Sequence, residues 1–255
     1  MDNIKNYIFD MDGVLLRGNT PIEGVQAMLD RLTQKGLNFA VLTNNPIYTP
    51  GDLQHRLSYM GLEIPEKCIY TSAMATANFV SKQKPGCAAY VIGESGLTTA
   101  LHNAGITITS FEPDYVILGE TTNYSFDQIS VACSLVKKGC RFICTNPDNA
   151  TPLENGKLVP AAGALASVIS TATGVEPYYI GKPNPLMMKS VLRYMGAYSS
   201  ESAMVGDRMD TDIIAGMEAG MTTVLVLTGV TDRDMADKFP YSPTYILNSA
   251  AEIEK

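Results

Sequence analysis

Apolar runs of strand length, closed by turn residues, alternate along the chain with stretches whose apolar positions recur at helical spacing. That alternation is the pattern of a mostly parallel sheet covered by helices. Residues 7–9 read as a first strand; Val25, Met28, Leu29 and Leu32 then fall on one helical face and stop at Gly36. A second strand is predicted over 39–42, running into Thr43, Asn44, Asn45 and Pro46. Further on, 202–205 and 223–227 predict two more strands. Between them the spacing predicts a helix over 211–218, with Ile213, Ile214 and Met217 as its buried stripe.

Between Asn45 and Gly181 lie 135 residues, far more than the about 30 to 40 of one crossover in a parallel sheet. Something is inserted there. After a helix over 72–82, the pattern resumes with strands at 90–92, 115–118 and 141–144, and with helices at 97–103, 126–137 and 164–173. The reading is a core domain of 1–82 and 180–255, with a second, smaller α/β domain of 83–179 inserted into it. The longest uncharged stretch, 158–175, contains Pro160, Gly163 and Gly174 and is read as a buried helix rather than a membrane span.

Composition narrows the classes. With 255 residues and 45% hydrophobic content the chain can bury a real core. A net charge of −7 without a Lys/Arg block argues against nucleic-acid polymers and anionic membranes as partners. The N-terminal segment, with Asp2 and Lys5 beside a short apolar run, lacks the plan of a secretory signal, so the expected location is cytoplasmic. Five scattered cysteines without a CxxC are expected as free thiols; Cys140, Phe142 and Cys144, spaced by two, should share one core-facing side of a strand.

Four polar strand ends carry the chemistry. Asp10-Met11-Asp12-Gly13 follows the first strand, where open parallel sheets place ligands. Taken alone, an aspartate-rich turn explains that quartet. Gly206-Asp207-Arg208-Met209-Asp210-Thr211-Asp212 repeats the theme before a helix; three carboxylates so close repel one another unless a cation or a helix N-terminus compensates them. An N-cap would account for one of these aspartates but not for a second cluster. Oxygen donors without His or Cys point to Mg²⁺ rather than Zn²⁺. Thr43-Asn44-Asn45 and Gly181-Lys182-Pro183-Asn184-Pro185 are weaker signals, each ordinary as a loop.

The order DxDG, a Thr/Asn step, a Lys and GDxxxxD resembles the haloacid dehalogenase-like (HAD) phosphohydrolases across nearly the whole chain. The large insert with Thr145-Asn146-Pro147-Asp148 is similar to that of the NagD-type nucleotide phosphatases, a group that includes 4-nitrophenyl phosphatases and pyridoxal phosphate phosphatases. The resemblance implies a Rossmann-like parallel-sheet core with an inserted α/β cap. It implies Asp10 as the nucleophile that becomes an aspartyl-phosphate, and Asp12 as general acid and then base. It assigns phosphate oxygens to Thr43, Asn44, Asn45 and Lys182. Mg²⁺ falls to Asp10, Asp207 and the Asp12 main-chain carbonyl, with Asp212 behind them. Four carboxylates against Mg²⁺ and Lys182 leave one excess negative charge before a dianionic ester arrives, so one proton is expected, on Asp12.

A cap of nearly a hundred residues favours a small phosphorylated metabolite over a phosphoprotein. Nucleoside monophosphates of the UMP or GMP type come first; 4-nitrophenyl phosphate, sugar phosphates and pyridoxal phosphate stay open, and a homo-oligomer is compatible with the sequence. The different-class alternative is a receiver-like switch that accepts phosphate without turnover. Its acceptor would not follow the first strand, and it would not carry an acid at Asp12.

Overall fold

The computed structural model describes residues 3–152 and 157–254. The chain begins with β1 (Asn6–Phe9), a small hairpin of β2 (Leu16–Arg17) and β3 (Thr20–Pro21), α1 (Val25–Gln34), β4 (Asn38–Thr43), α2 (Pro50–Tyr59), β5 (Ile69–Thr71) and α3 (Ser72–Gln83). Next come β6 (Ala88–Ile92), α4 (Ser95–Asn103), β7 (Thr107–Ile108), β8 (Tyr115–Leu118), α5 (Phe126–Lys137) and β9 (Arg141–Cys144). A hairpin of β10 (Ala150–Pro152) and β11 (Leu158–Pro160) leads to α6 (Ala162–Thr173), β12 (Tyr178–Tyr179) and α7 (Pro185–Met195). The chain closes with β13 (Ser202–Gly206), α8 (Ile214–Glu218), β14 (Thr222–Val226), α9 (Arg233–Ala236) and β15 (Tyr245–Leu247).

These elements form two compact units: Met1–Thr43, Gly51–Tyr70 and Lys182–Lys255 in the first, Asn44–Pro50 and Thr71–Gly181 in the second. In the first, six strands run in the order β15-β14-β13-β1-β4-β5. The pairings of β1 with β4 and with β13, and of β14 with β13 and with β15, are parallel. Every residue of β1 and β13 is buried, as a central parallel strand requires. Phe9 is in register with Val41 on one side and Val205 on the other, so Asp10, Thr43 and Asp207 leave three adjacent strands at the same end of the sheet.

The second unit holds a parallel five-stranded sheet in the order β12-β9-β8-β6-β7. Val116 and Leu118 on β8 and Phe142 and Cys144 on β9 share one face, packed with Ala132, Val136, Ala162, Ala166 and Ile169 of α5 and α6. Cys140 packs against the same cluster, the arrangement its spacing predicted. Ser125 and Gln128 form a reciprocal capping box that starts α5, and Gly174 in the left-handed conformation stops α6.

The structure differs from the expected elements at several points. The helix expected over 211–218 begins as a π-helical turn, Met209–Ile213, in which the Ile213 amide reaches back to the Arg208 carbonyl at 3.1 Å. Strands β5 and β15 at the sheet edges, and helices α2 and α7, lay outside the predicted elements. The second unit is also wider than 83–179. Helix α3 packs on α4, and the Gly96 amide donates to the Ile47 carbonyl at 2.9 Å. A Cβ on Gly96 would stand 2.5 Å from the Tyr48 carbonyl oxygen, so 44–50 is bound closely to that unit.

Candidate active site

Within the first unit, Lys182 is the electrostatic centre. It is 3% exposed, and its Nζ donates to Asp10 Oδ1 at 2.6 Å and to Asp212 Oδ1 at 2.7 Å. The local sequence explains how it is held. Asn184 caps α7, accepting from the Leu186 amide at 2.9 Å, and Pro185 occupies the first helical turn, where its missing N–H costs nothing. On the other side, Asp212 Oδ2 accepts from the Arg208 amide at 3.2 Å, which turns its carboxylate back toward the end of β13. Gly206 allows this: a Cβ there would meet Asp212 Cβ at 2.1 Å.

Carboxylate oxygens of Asp10, Asp207 and Asp212 lie within 4.8 Å of one another. Burial pushes Asp10 up to about 6 against the pull of Lys182, with Asp207 adding to the rise. Asp207, buried beside Asp212, and Asp212 itself, buried despite Lys182, are likewise pushed up to about 6. The Asp12 carboxyl reaches solvent, yet neighbouring chain crowds it; that desolvation raises its pKa, Lys182 opposes the rise, Asp207 adds to it and Arg56 opposes it. For Lys182, burial alone would lower the pKa, but Asp10 and Asp212 outweigh it and hold the ammonium above its ordinary value.

This set suits a hard divalent cation. One lysine faces four acidic side chains, and Asp207 Oδ1 is buried with no hydrogen-bond partner, although an isolated buried carboxylate oxygen is costly. Its companion Oδ2 accepts from the Val230 amide at 2.7 Å, so the orphaned oxygen is held in a fixed direction.

The residues that hold Asp207 were absent from the sequence reading. The loop after β14 supplies the Val230 amide, Thr228 Oγ1 donates to the Gly13 carbonyl at 2.6 Å, and a Cβ on Gly229 would lie 1.9 Å from Asp207 Oδ2. A further polar, glycine-bearing strand end, Thr228-Gly229, was the available signal. Arg56, whose charge acts on Asp12, sits on α2, a helix outside the predicted elements.

Of the expected phosphate ligands, Thr43 is buried at the end of β4 and Lys182 lies in the cluster. Asn44 and Asn45 belong to the second unit. There Asn44 Nδ2 donates to Asp148 Oδ2 at 2.8 Å, and Asn45 Oδ1 accepts from the Ile47 amide at 2.8 Å. All five cysteines are free thiols. Among the described residues, no helix is long and apolar enough to cross a membrane.

A parallel α/β unit that brings Asp10 and Asp207 to neighbouring strand ends, with a buried lysine salt-bridged to Asp10 and to Asp212, is an acidic site suited to carboxylate-centred phosphate chemistry. Comparison with known proteins makes the class specific. The sequence pattern of the haloacid dehalogenase-like hydrolases matches residues 7–107, and that of the HAD-hydrolase-like group matches 179–253. A dihydroxyacetone phosphatase of Corynebacterium glutamicum (strain R) is 51% identical over 97% of this chain and 90% of its own. The ribonucleotide monophosphatase NagD of Escherichia coli (strain K12) is 44% identical over 98% of both chains. The solved structure of NagD from the E. coli K-12 strain superposes with a TM-score of 0.94 at 43% identity, covering 99% of each chain. The chain belongs to the haloacid dehalogenase-like hydrolases, in their NagD-type group of phosphoric monoester hydrolases.

Proposed function

We propose that this enzyme is a Mg²⁺-dependent, cytoplasmic phosphatase of small phosphomonoesters that works through an aspartyl-phosphate on Asp10. The observation that carries the reading is the buried Lys182 ammonium bonded to both Asp10 and Asp212. It fixes the nucleophile's carboxylate and supplies positive charge where a phosphate dianion must approach an anion.

Asp10, Asp207 and the main-chain carbonyl of Asp12 would hold Mg²⁺, with Asp212 behind them. When bound, the ion would screen the repulsion between carboxylate and phosphate and favour in-line geometry. In the first step an Asp10 oxygen attacks phosphorus, and the bond from phosphorus to the ester oxygen breaks as Asp12 gives that oxygen its proton. In the second step the Asp12 carboxylate takes a proton from water, which attacks the same phosphorus; the acyl-phosphate bond breaks and Asp10 is regenerated. Thr43, Asn44, Asn45 and Lys182 hold the phosphoryl oxygens. We assign the second unit, Asn44–Pro50 and Thr71–Gly181, which contains the expected cap of 83–179, the part of a cap that restricts access to small esters.

Nucleoside monophosphates are the first substrate class, supported by the full-length match to NagD. The 51% identity to a dihydroxyacetone phosphatase favours triose and sugar phosphates as a second reading. A panel of phosphomonoesters ranked by kcat/KM with Mg²⁺ decides between them. Wild type should turn over many times, and Asp10→Asn should lose more than about a thousandfold in rate. A single stoichiometric phosphorylation without turnover would instead make the protein a receiver-like switch.

A further inference from the structure

We infer that Thr228 is a positioning residue for the divalent-ion site: its hydroxyl locks the strand end that carries Asp12 to the loop that aims Asp207. The inference rests on the proposed function, which gives the ion to Asp10, Asp207 and the Asp12 main-chain carbonyl. Those donors leave two different strands, β1 and β13, of the first unit. Mg²⁺ demands near-ideal octahedral geometry, so the mutual placement of its donors decides how well it binds. Thr228, at the end of a third strand, β14, reaches both sides.

On the β1 side, the Gly13 amide donates to the Leu16 carbonyl at 2.7 Å. A trans peptide is planar with its C=O and N–H opposed, so that bond also fixes the direction of the Asp12 carbonyl. The Gly13 carbonyl, one peptide further on, accepts from Thr228 Oγ1 at 2.6 Å. On the β13 side, the Val230 amide donates to Asp207 Oδ2 at 2.7 Å and the Thr231 amide to the Asp207 carbonyl at 3.1 Å. Asp207 Oδ1, buried and without a hydrogen-bond partner among the described residues, is thereby held in one direction. The fit between the two sides is close: a Cβ on Gly13 or on Gly229 would run into Asp207 Oδ2, and one on Gly13 would stand 3.0 Å from the Gly229 Cα. Thr228 is itself anchored. Strand β14 is paired with β13 and β15, the Leu227 amide donates to the Leu247 carbonyl at 3.0 Å, and Arg17 Nη2 donates to the Thr228 carbonyl at 2.7 Å.

Two plainer roles predict different data. A mere staple would lower the melting point alike in EDTA and in Mg²⁺ and leave ion affinity unchanged, and a contact from the hydroxyl to phosphate would raise the ester KM even at saturating Mg²⁺. The test measures Mg²⁺ affinity of the ester-free protein by calorimetry, and Mn²⁺ affinity from the spin-resonance signal of the free ion. Wild type, Thr228→Val, Thr228→Ser and Arg17→Ala are compared. Valine keeps the shape of threonine and loses the donor, so Thr228→Val should weaken both ions by about ten- to a hundredfold, the cost of losing a group that orients a metal ligand. Thr228→Ser keeps the donor and should restore wild-type affinity. Arg17→Ala, which cuts an exposed tether, should weaken both ions a few-fold. With Mg²⁺ saturating, Thr228→Val should keep the wild-type KM for 4-nitrophenyl phosphate. Unchanged ion affinity in Thr228→Val, an equal loss in Thr228→Ser, or a raised ester KM at saturating ion would overturn the inference. Should Thr228→Val fail to fold, Arg17→Ala decides, and unaltered affinity there rejects the role. Wild type that binds neither ion would sink the proposed metal site and the inference together; normal binding by wild type beside an unaffected Thr228→Val sinks the inference alone.

Discussion

Lys182 shows how much rests on one side chain. Removing one partner of a buried ion pair costs about 3–5 kcal/mol, because the other charge is left uncompensated. Here the remainder would be three clustered carboxylates. Lys182→Met should therefore lower stability by about that amount in EDTA, and Mg²⁺ should restore part of the loss; urea unfolding with and without the ion measures both. Equal stability of variant and wild type in EDTA would mean the cluster does not depend on the lysine. Asp12 is tested through chemistry rather than stability. General acids contribute about a hundred- to ten-thousandfold, and 4-nitrophenolate departs without a proton. Asp12→Asn should consequently depress kcat/KM for an alkyl phosphate far more than for 4-nitrophenyl phosphate, and equal losses would reject the assignment. Glu120, buried in the second unit, has its pKa raised by burial and then by Asp148, against a hydrogen bond from Thr151. A carboxyl raised on folding contributes stability below its unfolded value of about 4.3 and loses it as pH climbs through the folded one. Glu120→Gln should raise the urea midpoint at pH 8 and leave it unchanged near pH 4. The same rise at both pH values would contradict this origin.

At the level of elements, the sequence displays what burial imposes and conceals what tertiary contact imposes. The strand ends at Asp10, Thr43 and Asp207 were legible because each follows a buried, apolar run whose pleat leaves few alternatives. The π-helical turn was not legible: its register depends on Asp212 folding back toward Gly206, a contact no periodicity encodes. Nor was the loop after β14 legible, because Thr228 and Gly229 matter only once β14 lies beside β13. Edge strand β15 is short and half-exposed, so its apolar signal was weak. The fit at the turn is sharp enough to test. Gly206→Ala should displace the Asp212 carboxylate, destabilise the protein by about 1–3 kcal/mol and weaken Mg²⁺ binding measured by calorimetry. Unaltered ion affinity would show that Asp212 tolerates the shift.

Over the whole molecule, the chain passes between the two units four times, at 43/44, 50/51, 70/71 and 181/182. Local patterning made the existence of the insert readable and its edges unreadable, because 44–50 and 71–82 have no composition of their own and join the second unit through contacts such as that of Gly96 with Ile47. This division also separates the reacting residues in time. Asp10 and Lys182 are 172 positions apart. At a synthesis rate of about 5–20 residues per second, roughly 10 to 35 seconds pass on the ribosome between making one and making the other. During that interval the sheet of the first unit lacks β13 and β14, while every strand of the second unit is translated before Lys182. Nascent protein can thus complete its inserted unit before it owns a nucleophile with a counter-charge, and stalled or clipped chains ending before residue 182 are expected to be chemically silent toward cellular phosphate esters.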